Sequence, residues 1–264
     1  MVNEWPREPF EALTMAFSAL TDATPGFSLA PIGRPGSLMC AVTPVHLALF
    51  NRVMGVRLAD DEVAVAIEGV LSAHAQAGVP GSWWLDPGFT PSSLPDALER
   101  HGYVSRGVVP AMAMTLGSLP AIALPPGAEL SWVEGQDRMR ETQRMVGIGF
   151  GMPSELADGL AEHLAGIGDP VDGPARVVVV RVDGVPVASA MAATVNDVAG
   201  IYSVVTLPEA RGKGLGTTVT LAALHDARER GAQMAVLEAS DMGFPIYARM
   251  GFRHVGDFRL FASR

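Results

Sequence analysis

The chain has 264 residues, enough for one large domain or two ordinary ones, and 48% hydrophobic against 18% charged residues indicates a packed globular protein without long disorder. Its 28 acidic and 19 basic residues give a net charge of −9, which argues against a sequence-independent nucleic-acid binder but leaves room for a local cationic loop holding a small anion. One cysteine, Cys40, excludes an internal disulfide and a thiolate zinc site, and no two of the six histidines stand at metal-ligand spacing, so no metal is expected. The first residues lack a basic and then apolar leader, and no apolar run is long enough to span a bilayer. The expectation is a cytoplasmic protein, monomer or homodimer, with no membrane and no nucleic-acid partner.

Phe10, Leu13, Phe17 and Leu20 predict a helix over 9–20, followed by a Gly/Pro loop over 25–36 and short strands over 38–43 and 50–56. Asp60 and Asp61 offer an N-cap to a helix whose apolar face carries Val63, Ile67, Val70 and Leu71, stopped by Gly78 and Pro80. A buried strand over 81–86 contains Trp83 and Trp84, and Ser93 to Asp96 opens a short helix to about Arg100. Residues 103–109 and 111–116 read as a closing hairpin. The segment 118–126, with three prolines and no charge, is an extended linker, which sets domain limits of 1–117 and 127–264.

The second part reads as a strand over 130–133, helices over 136–146 and 153–164, and a loop over 166–173. A hairpin over 176–194 turns at Asp183-Gly184, and Asn196 and Asp197 mark a further turn before a strand over 199–206. Then come a helix from Leu215 to about Arg230, a strand over 234–239, a short helix over 245–250, and final strands near 252–255 and 258–262. A faint repeat relates 94–107 to 244–256: each is a short helix ending at Gly-aromatic and entering a strand pair.

The chemistry concentrates at 204–217. A β-branched run, a proline and a glycine-rich turn with two cations lead into an apolar helix, whose first backbone N–H groups are free to hold an anion. Gly212, Gly214 and Gly216 let a phosphate approach the backbone, and Arg211 and Lys213 bring charge. P-loop spacing is absent, and the dinucleotide fingerprint would need glycine where Thr217 stands.

The stretch resembles motif A of the GNAT superfamily of N-acetyltransferases, R/Q-x-x-G-x-G/A, matched by Arg211, Gly214 and Gly216 and preceded by Pro208-Glu209-x-Arg211-Gly212. The resemblance implies a mixed, mostly antiparallel α/β sheet flanked by helices. It also implies acetyl-CoA as cosubstrate, held by Val204, Val205, Thr206, Arg211, Gly212, Lys213, Gly214, Leu215, Gly216 and Thr217, without a metal. The order strand, two helices, meander, helix, strand, helix, final strands agrees with it.

A second stretch, 237–252, looks like the GNAT pattern that ends in Tyr and Gly-Phe. Tyr247 occupies the position of the family's general acid, and its place at a helix start suggests some phenolate character. Ser240 stands where many members have Asn for the pantetheine arm. The general base stays open among Glu238, Tyr202, Ser203 and Asp197. Arg249 reads as solvent-facing, and Trp83-Trp84 as core or as part of an acceptor wall.

Residues 1–117 read as a degenerate GNAT-like domain or another α/β domain, since Arg57-Leu-Ala-Asp-Asp-Glu62 puts acids where a cradle would stand. The function implied is acetyl-CoA-dependent N-acetyl transfer to a primary amine of a small molecule or peptide, by direct attack in a ternary complex. The alternative is a non-catalytic acyl-CoA-binding or regulatory module, with longer acyl donors or a hydroxyl acceptor as a third variant.

Overall fold

A computed structural model describes residues 5–167 and 173–263; the loop expected over 166–173 therefore lies mostly outside the described residues. In chain order the elements are α1 (Pro9–Ala23), β1 (Ser28–Leu29), β2 (Met39–Val42), β3 (Arg52–Met54), α2 (Val63–Ala77), β4 (Ser82–Leu85), α3 (Leu94–Arg100) and β5 (Val104–Thr115). The second half adds β6 (Ala128–Trp132), α4 (Gln136–Gly149), α5 (Ser154–Leu164), β7 (Ala175–Val182), β8 (Val185–Val195), β9 (Val198–Thr206), α6 (Leu215–Glu229), β10 (Met234–Glu238), α7 (Phe244–Met250) and β11 (Arg253–Ala262).

All the strands join one sheet in the order β1-β2-β3-β4-β11-β5-β10-β9-β8-β7-β6. Pairing is antiparallel except for β3 with β4 and β9 with β10, the mixed, mostly antiparallel α/β sheet expected. The central pair β11–β5 has four strands of the first half on one side and five of the second on the other. Each half's last strand crosses to the other half: β5 pairs with β10, β11 pairs with β4, and β5 and β11 pair with each other.

The hairpin expected over 103–116 and the separate strands expected near 252–255 and 258–262 are therefore corrected to two single long strands. Pro110 looked like a turn, yet it lies in β5 opposite Asp257, where the β10 ladder is ending and a missing N–H costs little. Gly256, with φ +138, absorbs the matching irregularity of β11 between His254 and Gly256. Two further details differ from the sequence reading: β1 forms inside the expected 25–36 loop, and α4 runs three residues beyond its expected end at 146.

Helices cover both faces. α1, α4 and α5 pack on one, with Phe10, Leu13 and Phe17 of α1 meeting Trp84, Ala113, Val236 and Phe258. The other face carries α2, α3, α6 and α7, where Leu215, Val219 and Leu224 of α6 meet Val178, Ala190 and Leu237. Side chains alternate along a strand, so Trp83 and Trp84 part company. Trp83 faces α2 and Trp84 faces α1. The 118–126 segment runs along α6: Thr218 Oγ1 donates to Ala123 O at 2.8 Å, and Arg228 Nη1 reaches Gly117 O at 3.2 Å.

Because each half lends its last strand to the other, neither half closes its own sheet. Separately expressed 1–117 and 127–264 should each fail to give a cooperative thermal transition, whereas the two co-expressed should give one. Two independent transitions by calorimetry would contradict this.

Candidate active site

The site begins where β9 leaves β10. Their parallel ladder runs only from Val198↔Met234 to Gly200↔Val236, after which the strands diverge while β9 stays paired with β8 to Thr206. Two local features cause the splay. The Tyr202 ring folds back over Gly200, where a Cβ would come within 2.6 Å of it and 2.8 Å of Ala16. Ser203 takes φ +51, and the register against β8 slips there. Beyond that point the β9 backbone edge facing β10 has no strand partner, which leaves it open to an extended ligand arm.

β9 then runs into the glycine turn. A short 3-10 turn over Pro208–Ala210 is followed by Arg211, whose Nε donates to Thr206 O at 3.1 Å. Gly214 is the N-cap of α6 with φ +78, and Gly212 shares that value, a region in which side chains are strained. A Cβ on Gly216 would sit 3.3 Å from Thr206 Oγ1. No side chain caps α6 and no acid stands in its first turn. Backbone N–H groups from Gly212 to Thr217 find no acceptor among the described residues, the first returning bond being Thr218 N to Gly214 O.

Arg211 and Lys213 are exposed beside these donors, while the buried Leu215 side chain anchors the helix in the core and contributes backbone alone. This turn fits an anionic pyrophosphate. The corresponding turn of the first half differs. Asp60, Asp61 and Glu62 precede α2, and Glu62 is bound by Arg34 and by Ala59 N.

From the splay opens a cavity of about 510 Å³ on the α1/α4/α5 face. Ile201 to Val204, Glu238 to Asp241 and Tyr247 line it from the second half, and Phe17, Leu49, Phe50, Arg52 and Trp84 from the first. Val204 lines the cavity, whereas Val205 points into the core beneath α4. Thr206 lies at the cradle end, outside the cavity wall.

Tyr247 is buried, its ring 5.8 Å from that of Phe252 and packed on Gly243, where a Cβ would meet it at 2.8 Å. Burial pushes its pKa up to about 12. Burial thus works against the phenolate character suggested by the helix start and favours the protonated phenol. A protonated phenol is the form a general acid needs. Ser240 Oγ accepts from Gly243 N at 3.1 Å, within the turn that leads into α7.

Glu238 is engaged. Arg52 Nη1 donates to its Oε1 at 2.8 Å, with side chains only 5% and 10% exposed. The Arg52 guanidinium lies between the rings of Phe17 and Trp84, 4.1 and 4.2 Å from their centroids. β4, β11 and β5 separate β3 from β10, which in a flat sheet would set them about 19 Å apart. The contact therefore requires a strongly coiled sheet.

Tyr202 also lines the cavity; its hydroxyl is shut from solvent without a partner, and burial raises its pKa. Ser203 lies beside it. Asp197 does not line the cavity; it sits at the β8–β9 turn, bound by Arg7 at 3.1 Å. Arg249 is exposed and does not line the cavity. Sequence reasoning missed Arg52 and Gln143. Arg52 had one signal, a cation inside an apolar strand; Gln143 had none beyond its place on the apolar face of α4.

Cradle, splayed strands and buried phenol thus follow one another along the second half. Residues 154–252 match the acetyltransferase (GNAT) family. Among solved structures, a GCN5-related N-acetyltransferase from Kribbella flavida superposes with TM-score 0.70 at 23% identity, covering 96% of this chain and 95% of that one. A tandem GNAT protein from the clavulanic acid biosynthesis pathway gives 0.58 at 17% identity, covering 91% and 84%. A GCN5-related N-acetyltransferase from Sphaerobacter thermophilus gives 0.56 at 15%, covering 88% and 82%. Curated proteins give no sequence match. The shared fold spans both halves of the chain. No helix of the described residues is long and apolar enough to cross a membrane.

Two outcomes are expected. All 3 tyrosines have pKa values raised by burial. The unfolded chain loses its phenolic protons first, near pH 10, so this part of the stability is complete below about pH 10 and is lost as pH rises through the folded values. Ultraviolet titration should find little tyrosinate in the native protein at pH 10 and half-ionisation in urea. In the Arg52–Glu238 pair, Arg52→Ala should cost about 3–5 kcal/mol in urea denaturation by stranding a buried carboxylate, and Arg52→Met with Glu238→Met should recover most of it.

Proposed function

We propose that this chain is an acetyl-CoA-dependent N-acetyltransferase, moving an acetyl group to a primary amine by direct attack in a ternary complex. The observation that carries the reading is continuity: the open N–H groups of 212–217, the unpaired edge of β9 and the phenol of Tyr247 follow one another from the cradle to the cavity.

Each part has its task. The cradle N–H groups and Arg211 and Lys213 hold the pyrophosphate, and the free edge of β9 orients the pantetheine arm, so the thioester is delivered to one spot. Acetyl-CoA supplies the activated acyl group. A backbone N–H of the open β9 edge polarises the thioester carbonyl, and Tyr247 gives its proton to the departing sulfur. Ser240 supports this by bracing the turn before α7 through its bond from Gly243 N.

Glu238, held by Arg52, accepts a hydrogen bond from the amine and orients it. The neutral amine attacks, and its surplus proton passes through water to restore the Tyr247 phenol. Residues 1–117 serve as the other wall of the acceptor site and carry no second cosubstrate site, because acids occupy the start of α2. Domain limits of 1–117, 118–126 and 127–264 fit this division of labour.

Acetyl-CoA at a hundredfold excess over its Kd should raise the melting temperature by about 5–10 °C. Gly214→Glu, which puts a carboxylate on a left-handed residue at the cradle, should abolish that rise. Tyr247→Phe should keep the rise and lower kcat by roughly 10²–10⁴-fold. Binding with no CoA release on any amine would favour an acyl-CoA-binding module instead.

A further inference from the structure

The acceptor side of the cavity has a pronounced chemical bias. Phe17 and Leu20 of α1 and Phe50 face Leu160, Leu164 and Ile167 at α5, so the wall opposite the splay is apolar and is shared by both halves. The bias reaches the rim. Leu49, Val108 and Phe150 line the cavity while 47%, 61% and 56% exposed. Large apolar side chains held in water around one opening favour a ligand that covers them.

Charge is sparse among the described residues of the wall. Among the described lining residues the charged groups are Arg52 and Glu238, which neutralise each other, and Asp241, which is exposed beside α7 and screened by solvent. Tyr202 and Tyr247 are the other titratable groups there. A second cation, or a carboxylate, on the ligand would lose its hydration without gaining a buried partner. Two polar atoms do wait for one: the Tyr202 hydroxyl and Oε1 of the fully buried Gln143 make no hydrogen bond and are shut from water. A buried acceptor and hydroxyl without partners are costly unless a ligand supplies them.

We infer that the acceptor is a primary amine on an apolar body, an alkyl or arylalkyl amine with no second charge, whose polar end meets Tyr202 and Gln143 while its body fills the wall between α1 and α5. This rests on the acetyl-transfer reading above. The wall admits the neutral amine, the nucleophilic form. Its nitrogen forms the N–C bond as the C–S bond breaks; one proton reaches sulfur from Tyr247, and the proton shed by nitrogen returns through water to the phenolate. Gln143 acts here as a positioning residue.

The test is an acceptor panel of n-hexylamine, 2-phenylethylamine, spermidine and lysine at saturating acetyl-CoA, with CoA release followed and amine binding measured by calorimetry in the presence of CoA. The first two should exceed the others by about tenfold or more in kcat/KM and bind more tightly. Phe150→Asp, at an exposed rim position, should lower kcat/KM for n-hexylamine about tenfold through KM, and Gln143→Leu should raise KM; both should retain the acetyl-CoA-induced rise in melting temperature. Preference for spermidine or lysine overturns the inference. So does absence of n-hexylamine binding in a protein that still responds to acetyl-CoA, or tighter binding of octanoyl-CoA than of acetyl-CoA with n-hexylamine excluded, which would give the wall to the acyl chain. Failure of the acetyl-transfer reading is distinct: acetyl-CoA then leaves the melting temperature unchanged.

Discussion

The pairing of β5 with β11 is the constraint on which the rest of the molecule depends. Each strand ends its own half and is held inside the other, so the centre of the sheet belongs to both. This closes the hydrogen bonding of two sheets that would otherwise each lack an inner strand beside β4 or β10. It also fixes where the first half's α1 and Arg52 lie relative to β10. Coiling of the continuous sheet then brings a cation from β3 onto a carboxylate from β10, across three intervening strands.

The site inherits its division of labour from this arrangement. Cradle, β9 and α7 are local to the second half, close in sequence, and the first two are shaped by glycine and a register slip. The wall opposite is built from both halves. A hydrophobic cavity whose charges cancel in pairs is a demanding place for a polar group, and the few that line it are therefore informative. Arg52 is kept there by two aromatic faces and a carboxylate, a geometry that meets the cost of burying a guanidinium.

The two halves build the same strand–helix–strand unit with opposite chemistry at the helix start. Both place a helix after a strand that runs parallel to the next one, β3–α2–β4 and β9–α6–β10. In the second, glycine and cations leave N–H groups open. In the first, three consecutive acids and a bound Arg34 fill the helix start, so the same topology offers no place for a phosphate.

What the sequence determined by itself was local: the glycine cradle and its helix, the Asp183-Gly184 hairpin, the short helices that end at Gly102 and Gly251, and the mixed sheet implied by the family resemblance. These are legible because turn chemistry, caps and periodicity act over a few residues. The tertiary structure alone decided what depends on distant pairing. Pro110 and Gly256 look like turns in one dimension but become interior strand positions once the neighbouring strands arrive from the other half. Glu238 looks like a free carboxylate until Arg52, 186 positions earlier, meets it, and Tyr247 looks activated by its helix until burial works against it. Gln143 carried no signal at all, since an orphaned amide oxygen is a property of what surrounds it.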